Sequence, residues 1–279
     1  MTNQIETAQK LDKRGVLYLS GKDTRKFLNN LITQNPNKIS KGTGIYASLL
    51  TPQGKYLFDF FLIEDDEHLL LDCHESQTTD LLQKLTMYKL RADVEIRNIS
   101  GDLTVWALST PDGPDHKNHI TIPDPRHPDM GYRLYLPRGK KPIFGETDIS
   151  KYETKRIELG IPEGPIDLEV GKRFIMEANL EELNGLDFNK GCYVGQEINA
   201  RMKHRGTLKK RIIPVEFEGS APSPNTKIML GNKEAGYTLS HQGNMGLALM
   251  RLERLGGNLN LEDGTPIKLR IPNWLKIEN

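Results

Sequence analysis

Cysteine is scarce in this chain of 279 residues, which contains only Cys73 and Cys192. The two are distant in sequence and form no Cys-x-x-Cys pair, so the composition favours neither a disulfide framework nor a zinc knuckle. Because an iron–sulfur cluster takes about four protein ligands, we do not expect this chain alone to house one stably. The histidines also lack ligand spacing, and the sequence therefore predicts no metal site.

An excess of charge and a long apolar run are missing as well. Lysine and arginine number 38 and aspartate and glutamate 37, so no overall field favours nucleic acid or a membrane surface. No window approaches the roughly 18 apolar residues of a membrane span, and the first residues, MTNQIETAQKLDKRG, have neither a signal core nor an Arg-rich presequence. We therefore expect a monomeric cytoplasmic protein with no direct nucleic acid or membrane partner.

Three motifs of common enzymes are absent from the sequence. It contains no G-x-G-x-x-G fingerprint, no P-loop and no G-x-S-x-G elbow. Nucleotide-binding and serine hydrolase functions therefore have no support.

Apolar residues in the first 110 positions follow both strand and helix periodicity. The runs GVLYLS, HLLLDC, DVEIRN and DLTVWALS are typical of strands, and IYASLL and YLFDFFLI form a predicted hairpin around the turn TPQG. Helical spacing predicts one helix in GKDTRKFLNNLIT, with Asp23 as its N-cap, and a second helix opening near Ser76. This order predicts an α+β fold in which helices cover one face of a layered sheet.

The remainder of the chain divides into a proline-rich stretch, two further elements and a β-rich end. Residues 110 to 130 contain five prolines, which predicts a surface loop or crossover. YRLYLP is typical of a strand, and a helix is predicted from Lys151 to Gly160. From Leu208 onward, short runs such as RIIPVEFE and MGLALMRL alternate with turns, which is typical of a small all-β barrel or sandwich. We predict a region of residues 1–206, with subdomains of about 1–110 and 111–206, and a C-terminal domain of residues 207–279.

The stretch FNKGCYVGQEINARMKHRG, residues 188–206, contains the second cysteine and a predicted helix. Val194, Ile198 and Met202 fall at i, i+4 and i+8, a stripe that would face a core. Glu197 and Arg201 are spaced to form an ion pair on an adjacent strip.

Cys192 lies at or just before the first turn of this predicted helix. Unpaired backbone N–H groups and the helix dipole stabilise a thiolate there, and Lys190 adds a positive charge nearby. The cysteine is thus a candidate nucleophile or metal ligand, and the flanking glycines permit another backbone or a ligand to approach. A free cysteine is commonly buried and inert, and spacing alone favours that structural interpretation while leaving the reactive one open.

Two charged residues elsewhere are candidates for ligand binding or proton transfer. Asp59 lies within the apolar strand YLFDFFLI, where alternation favours a solvent-facing side chain and the alternative is a pocket that raises its pKa. Arg156, on the helix YETKRIELG, is a natural partner for a ligand carboxylate, although a charged helix face is more often simply solvated.

On these residues the sequence resembles a known family. KGCYVGQE, extended by Ala200, Arg201, Arg205 and Gly206, is similar to the signature of the YgfZ-type folate-binding proteins, which are relatives of a mitochondrial iron–sulfur assembly factor and of the glycine-cleavage T-protein. The similarity continues through GKDTRKFLNNLIT, LLTPQGKYLFDF, YKLRADVEI, RIELGIPEG and GNMGLALMRL, and so covers nearly the whole chain. The signature residues are Lys190, Gly191, Cys192, Tyr193, Gly195, Gln196, Glu197 and Arg201.

The resemblance implies a T-protein-like fold with a ferredoxin-like region of antiparallel sheets and helices, followed by a C-terminal β-barrel. It implies tetrahydrofolate, or a derivative, as cofactor, and a role in the assembly or repair of iron–sulfur clusters in client enzymes, including tRNA-thiolating ones. By the same resemblance, Cys192 is the signature cysteine, Arg156 contacts folate, and Asp59 takes the place of the catalytic aspartate of the T-protein.

Departures from the T-protein pattern bear on activity. Phe58 replaces the first acid of the T-protein's ILDD pair, and GYRLYLP keeps Gly131 and Tyr132 but lacks the acid that holds the pterin. The T-protein has no cysteine in the equivalent of KGCYVGQE. We therefore expect a folate-binding assembly factor centred on Cys192. Enzymatic activity stays open, with a folate-dependent aminomethyltransferase as the alternative and a folate-sensing binding module as a third possibility.

Overall fold

The computed structural model describes residues 7–111, 119–206 and 208–277. Contacts group the chain into two units that are both discontinuous in sequence. Unit 1 contains Met1–Leu50, Leu57–Tyr152 and Leu183–Val194, and unit 2 contains Thr51–Tyr56, Glu153–Glu182 and Gly195–Asn279. The predicted domain ranges were contiguous, whereas the chain passes between these units several times.

Most helices and strands that precede residue 188 lie where the strand and helix periodicities of the sequence predict them. In chain order they are β1 (Thr7–Lys10), β2 (Arg14–Ser20), α1 (Thr24–Asn29), β3 (Gly44–Leu50), β4 (Tyr56–Asp65), β5 (His68–His74), α2 (Thr78–Lys89), β6 (Glu95–Asn98), β7 (Leu103–Leu108), β8 (Ile120–Pro123), β9 (Tyr132–Pro137), β10 (Gly145–Glu146) and α3 (Ser150–Glu158).

The first sheet of unit 1 has the strand order β3-β4-β5-β2-β6. Strand β5 pairs antiparallel with both β4 and β2, and β2 pairs antiparallel with β6. The apolar side chains of α1 and α2, including Phe27, Leu28, Leu81 and Leu85, are buried in one cluster with those of the strands. The predicted α+β architecture, with helices packed on a sheet, is therefore confirmed.

Asp23 occupies the N-cap position of α1, as predicted, but its side chain makes no capping hydrogen bond. Its carboxylate instead accepts a hydrogen bond from the backbone N–H of Asp93 at 2.9 Å. The predicted helix also ends earlier than its apolar periodicity suggests, because Ile32 forms an isolated antiparallel bridge with Leu49 of β3.

The second sheet of unit 1 has the order β10-β1-β7-β9-β8, around a cluster that includes Trp106, Leu108 and Leu134. The prediction of a loop throughout residues 110 to 130 was wrong in part, because β8 lies in this stretch and pairs with β9. A proline is tolerated in β8 because the strand lies at an edge, where one side needs no ladder hydrogen bonds. Residues 112–118 of the same stretch lie outside the described residues.

Unit 2 contains α4 (Gln196–Arg205) and a β-barrel. The barrel strands are β11 (Lys210–Phe217), β12 (Lys227–Leu230), β13 (Lys233–Gln242), β14 (Met245–Arg251), β15 (Leu259–Leu261) and β16 (Pro266–Leu269). They close in the order β11-β14-β13-β12-β15-β16 around an apolar core. The predicted C-terminal barrel is confirmed. Across the described ranges, no helix is both long enough and apolar enough to cross a membrane.

Candidate functional site

The chain just before Cys192 is held in unit 1 by hydrogen bonds. We call residues 184–193 the signature segment. The hydroxyl of Thr33, which follows α1, donates to the carbonyl of Gly185 at 2.6 Å, and the N–H of Asp187 donates to the carbonyl of Thr33 at 3.0 Å. The side-chain amide of Gln34 donates to the carbonyl of Asn184 at 2.7 Å. Backbone and side-chain bonds thus hold residues 184–187 against the chain that leaves α1.

Lys190 anchors the same segment to the end of α1. Its ammonium donates to the carbonyl oxygens of Asn29 at 2.7 Å and Ile32 at 2.5 Å, and so satisfies acceptors that a helix end leaves open. Only 7% of the residue is exposed, and burial lowers its pKa to about 8. The sequence predicted a positive charge near the thiol, whereas the structure shows a buried ammonium that binds backbone carbonyls.

Replacement of Lys190 by methionine should therefore loosen the signature segment. We expect a loss of about 1 kcal/mol of stability, because two carbonyls lose a donor while the apolar stem is kept. Hydrogen exchange should become faster in residues 184–193, and the exposed substitution Lys140→Met should leave it unchanged. Unaltered protection in Lys190→Met would contradict the anchoring role.

The same variant should change the pH dependence of stability. Between pH of about 8 and the usual lysine pKa of 10.5, the unfolded chain binds more protons at this group than the folded protein. Unfolding then takes up a proton, so the free energy of unfolding rises with pH in this range. The rise should be smaller in Lys190→Met than in the wild-type protein, as measured by denaturant titrations at several pH values.

Cys192 is exposed at the surface of unit 1. Helix α4 begins at Gln196, four residues later, and its N-cap is Gly195 in a left-handed conformation. Cys192 was predicted to lie at or just before the first turn of the helix, and the structure places it before that turn, three residues ahead of the N-cap Gly195. The alternative of an inert, buried cysteine does not apply, since the thiol can be reached from solvent.

Gly195, three residues after Cys192, allows the backbone at the start of α4 to approach that of residues 51–54 within unit 2. Gly195 has φ 81°, and a Cβ atom at this position would lie 2.6 Å from the carbonyl of Thr51 and 2.9 Å from the Cα of Gly54. The turn TPQG of the predicted hairpin therefore packs directly on the start of α4. Gly191 is different, because a Cβ there would meet only the side-chain nitrogen of Asn29, at 3.8 Å.

The other signature residues stabilise the local structure. Tyr193 is buried, its ring centroid lies 5.1 Å from the Lys190 Nζ, and burial raises the pKa of its phenol. Glu197 and Arg201 form the predicted pair on α4 at 3.1 Å, an exposed contact that contributes a few tenths of a kcal/mol. Gln196 opens the helix.

Cys73, the second thiol, differs from Cys192 because it is buried. It lies fully buried in the first sheet, and its Sγ is 3.6 Å from the hydroxyl of Thr78. Burial raises the pKa of Cys73 to about 11, so its thiolate is scarce at neutral pH. Within the part of the chain that the structure describes, no group of three or more His, Cys, Asp or Glu side chains could hold a metal ion.

Asp59 is buried, so the prediction of a solvent-facing side chain was wrong. It is 7% exposed, and its neighbours Phe58, Phe60 and Phe61 are also buried, because both faces of β4 are covered. Alternation cannot separate an inner from an outer face in such a strand. The hydroxyl of Tyr46 donates to Oδ2 of Asp59 at 2.8 Å.

A network of buried ions lies beside this aspartate in unit 1. Asp72 accepts hydrogen bonds from Arg14 and Arg133, each at 2.6 Å, and from the Tyr135 hydroxyl at 2.8 Å. Burial alone would raise the pKa of Asp72, but the two guanidinium groups bring it below its usual range. The guanidinium of Arg133 also lies 3.9 Å from the ring centroid of Phe61.

This network was not predicted from the sequence. The available signal was Asp72 in the apolar run HLLLDC, since a carboxylate in a buried strand, like Asp59, needs a charged or hydrogen-bonding partner. Only the fold brings Asp72 of β5 to Arg133 of β9, which is 61 residues away in the chain.

Arg156 has a structural role that the sequence analysis did not anticipate. Its side chain is 1% exposed, and its nitrogens make five hydrogen bonds within unit 2, to Glu153 twice and to Asp167, the Ile161 carbonyl and the Ser240 hydroxyl once each. A guanidinium has five N–H donors, so none is left for a ligand. The predicted folate contact at Arg156 does not fit this geometry.

The comparisons with known proteins agree with the fold. Residues 209–277 match the model of the CAF17 C-terminal beta-barrel domain. The iron-sulfur cluster assembly factor IBA57, mitochondrial, of Mus musculus is 32% identical over 310 aligned positions, which cover 96% of this chain and 85% of the relative. The protein of the same name from Homo sapiens is also 32% identical, with 95% and 84% covered.

A solved structure supports the predicted T-protein-like fold. The glycine cleavage system aminomethyltransferase T from Bartonella henselae superimposes with a TM-score of 0.78, over 98% of this chain and 87% of that chain. Its identity of 11% means that the likeness concerns the fold alone. The predicted YgfZ-type family is related to these relatives, but the family name that the sequence matches support is that of the IBA57 proteins, which are about a third identical to this chain. From the extent of these matches, the chain belongs to the family of the iron–sulfur cluster assembly factors IBA57.

Proposed function

We propose that this protein supports the assembly of iron–sulfur clusters in client enzymes and acts through Cys192. The observation that carries the proposal is an exposed thiol on an anchored segment. Cys192 is accessible, while the Lys190 ammonium two positions before it is fixed to the carbonyls at the end of α1. A thiolate is the usual protein ligand of iron–sulfur clusters, and the family relationship indicates the same chemistry.

The number of ligands favours a role in transfer over one in storage. A cluster takes about four protein ligands, and Cys73 is buried with a raised pKa, so Cys192 is the accessible thiol within the described ranges. Further ligands would have to come from a carrier or a client protein. The protein then holds a cluster only while a partner is bound.

The function is tested by deleting the gene and profiling enzyme activities in the extracts. We expect the loss of activity in some iron–sulfur enzymes, with cluster-free enzymes of the same extracts unaffected. Enzymes that thiolate tRNA belong among the assayed clients, as the resemblance implies, and modified nucleosides can be measured directly. Unchanged activity of all the iron–sulfur enzymes in the deletion strain would refute the proposal.

Tetrahydrofolate binding is a further part of the proposal, and the residues fit this cofactor only in part. Arg156 does not fit, because all its donors are engaged. Asp59 fits in its chemistry, since a carboxylate accepts hydrogen bonds at both oxygens and suits a pterin N–H as well as the Tyr46 hydroxyl that it binds. The chemistry that tetrahydrofolate supplies is the carriage of one-carbon groups.

Replacement of Asp59 by asparagine should weaken tetrahydrofolate binding about tenfold or more, because a charge-assisted hydrogen bond becomes a neutral one. The fold should survive, since the asparagine oxygen still accepts from Tyr46. Calorimetry with the purified proteins measures the effect, and the exposed substitution Glu197→Gln on α4 is the control. Equal affinities in wild type and Asp59→Asn would remove Asp59 from the folate site.

The alternative function is a folate-dependent aminomethyltransferase. The likeness to the aminomethyltransferase T concerns the fold alone, and GYRLYLP lacks the acid that the T-protein pattern requires. A reconstituted assay with an aminomethyl-lipoyl carrier separates the functions, because turnover would establish the transferase. A cytoplasmic location, the monomeric state and the lack of a nucleic acid or membrane partner stay predictions.

A further inference from the structure

An exposed leucine in a strained conformation ends helix α2. Leu90 is 86% exposed and has φ 46° and ψ −107°, a region that side chains other than glycine rarely adopt. Glycine is the usual residue where a helix ends in a left-handed conformation. Met87, one turn earlier, is 57% exposed. The protein thus bears an energetic cost at this position while presenting two large apolar side chains to solvent.

A cavity of about 280 Å³ lies between α1 and α2, next to this leucine. Lys89 and Ala92, which flank Leu90 in sequence, both line it, and its apolar walls come from Phe27, Leu31 and Tyr88. Met87 and Leu90 do not line the cavity but flank Tyr88 and Lys89, which do. We call the cavity, together with these two flanking residues, the α1–α2 groove. All its residues belong to unit 1.

The rim of the α1–α2 groove is positively charged. Lys26 and Arg91 are exposed, and Lys89 makes one hydrogen bond, to the carbonyl of Val94 at 2.9 Å. Asp23 also lines the cavity, so the charged residues that line it are two lysines, Lys26 and Lys89, and one carboxylate, which leaves the lining with a net positive charge. An occupant with apolar side chains and flanking carboxylates would match both the walls and the rim.

The helix end that lines the groove also anchors the segment that carries Cys192. Asn30 lines the cavity, and the adjacent Asn29 accepts a hydrogen bond from Lys190 through its carbonyl. A Cβ at Gly191 would lie 3.8 Å from the side-chain nitrogen of Asn29. One short helix, α1, therefore forms a wall of the groove and anchors the residues just before the exposed thiol.

We propose that the α1–α2 groove is the docking surface for a protein partner in cluster assembly, which inserts an apolar side chain flanked by acidic residues. The inference rests on the proposed function and identifies where the partner binds. A partner held there contacts the helix whose end anchors the segment of Cys192, and it would supply the other cluster ligands. The exposed, strained Leu90 is explained as a contact residue that becomes buried on binding.

The test uses three fluorescent, amide-capped 12-residue peptides and the full-length protein. One peptide combines leucine and phenylalanine with aspartate and glutamate, the second replaces the acids by lysine, and the third replaces the apolar residues by serine. Fluorescence anisotropy should show binding of the first peptide alone. Lys26→Glu and Leu90→Gly should each weaken that binding about tenfold, through charge reversal and through loss of apolar contact respectively. Lys140→Glu, a charge reversal elsewhere on unit 1, should leave it unchanged.

The leucine variant also separates binding from stability. Glycine relieves the backbone strain, so the thermal midpoint of Leu90→Gly should equal or exceed that of wild type while peptide affinity falls. Wild-type affinity in both groove variants, or equal binding of all three peptides, would overturn the docking proposal. So would a dimer of the wild-type protein that Leu90→Gly dissolves, because the groove would then bind a second copy.

Complementation of the deletion strain distinguishes failure of this inference from failure of the proposed function. If Lys26→Glu and Leu90→Gly complement fully while Cys192→Ser does not, the groove proposal is wrong and the proposed function stands. If the two groove variants fail to complement and also bind the acidic peptide weakly, the docking surface is supported.

Discussion

Replacement of Cys192 by serine should reduce iron–sulfur enzyme activity to the level of the gene deletion. A serine hydroxyl stays protonated at neutral pH and does not replace a thiolate as a ligand or nucleophile. The side chain is exposed, so the free energy of unfolding should change by no more than about 0.5 kcal/mol. The measurement is enzyme activity in the deletion strain that expresses the variant, together with circular dichroism and denaturant titration of the purified protein.

Cys73→Ser is the matched control for this experiment. Its side chain is fully buried, so the substitution costs stability, but it should restore client activity wherever the folded protein accumulates. Mass spectrometry after alkylation should show modification of Cys192 well before Cys73, because burial raises the pKa of Cys73 to about 11. Full complementation by Cys192→Ser, or equal alkylation of both thiols, would show that the signature cysteine has only a structural role.

Replacement of Arg156 by methionine should destabilise the protein by about 3–5 kcal/mol, the usual cost of breaking a buried ion pair from one side. Asp167, whose side chain is fully buried, would lose its partner at 3.1 Å, and Glu153 would lose two hydrogen bonds. Burial opposes the charge of Arg156, but Asp167 and Glu153 raise its pKa above the usual value, so the folded state depends on the cation. Denaturant titration measures the loss.

Arg201→Met is the control for the arginine experiment. Arg201 is exposed and paired with an exposed glutamate, so its loss should cost no more than about 0.5 kcal/mol. Tetrahydrofolate affinity, measured on folded Arg156→Lys protein, should equal that of wild type. A variant with wild-type stability and no folate binding would instead restore Arg156 to the ligand site.

The sequence predicted the elements well where one face of an element is apolar and the other polar. The C-terminal barrel and helix α2 were correctly predicted because their patterns match periods of two and 3.6 residues, although the three-residue strand β15 was not singled out. Strand β4 was identified as a strand, yet the position of Asp59 was not, because both faces of β4 are covered. Strand β8 was missed because prolines masked a short edge strand.

By itself, the sequence determined the α+β region and the C-terminal barrel, and it identified the segment around Cys192 as a candidate site. These follow from local patterns, in which each residue's neighbours along the chain are sufficient evidence. Tertiary structure alone decided that Cys192 is exposed, that Lys190 binds the carbonyls of α1, and that Arg156 is enclosed by carboxylates. Exposure and ionic partners depend on residues far apart in the chain, such as Lys190 and Asn29, which lie 161 positions apart and meet only when the core has formed.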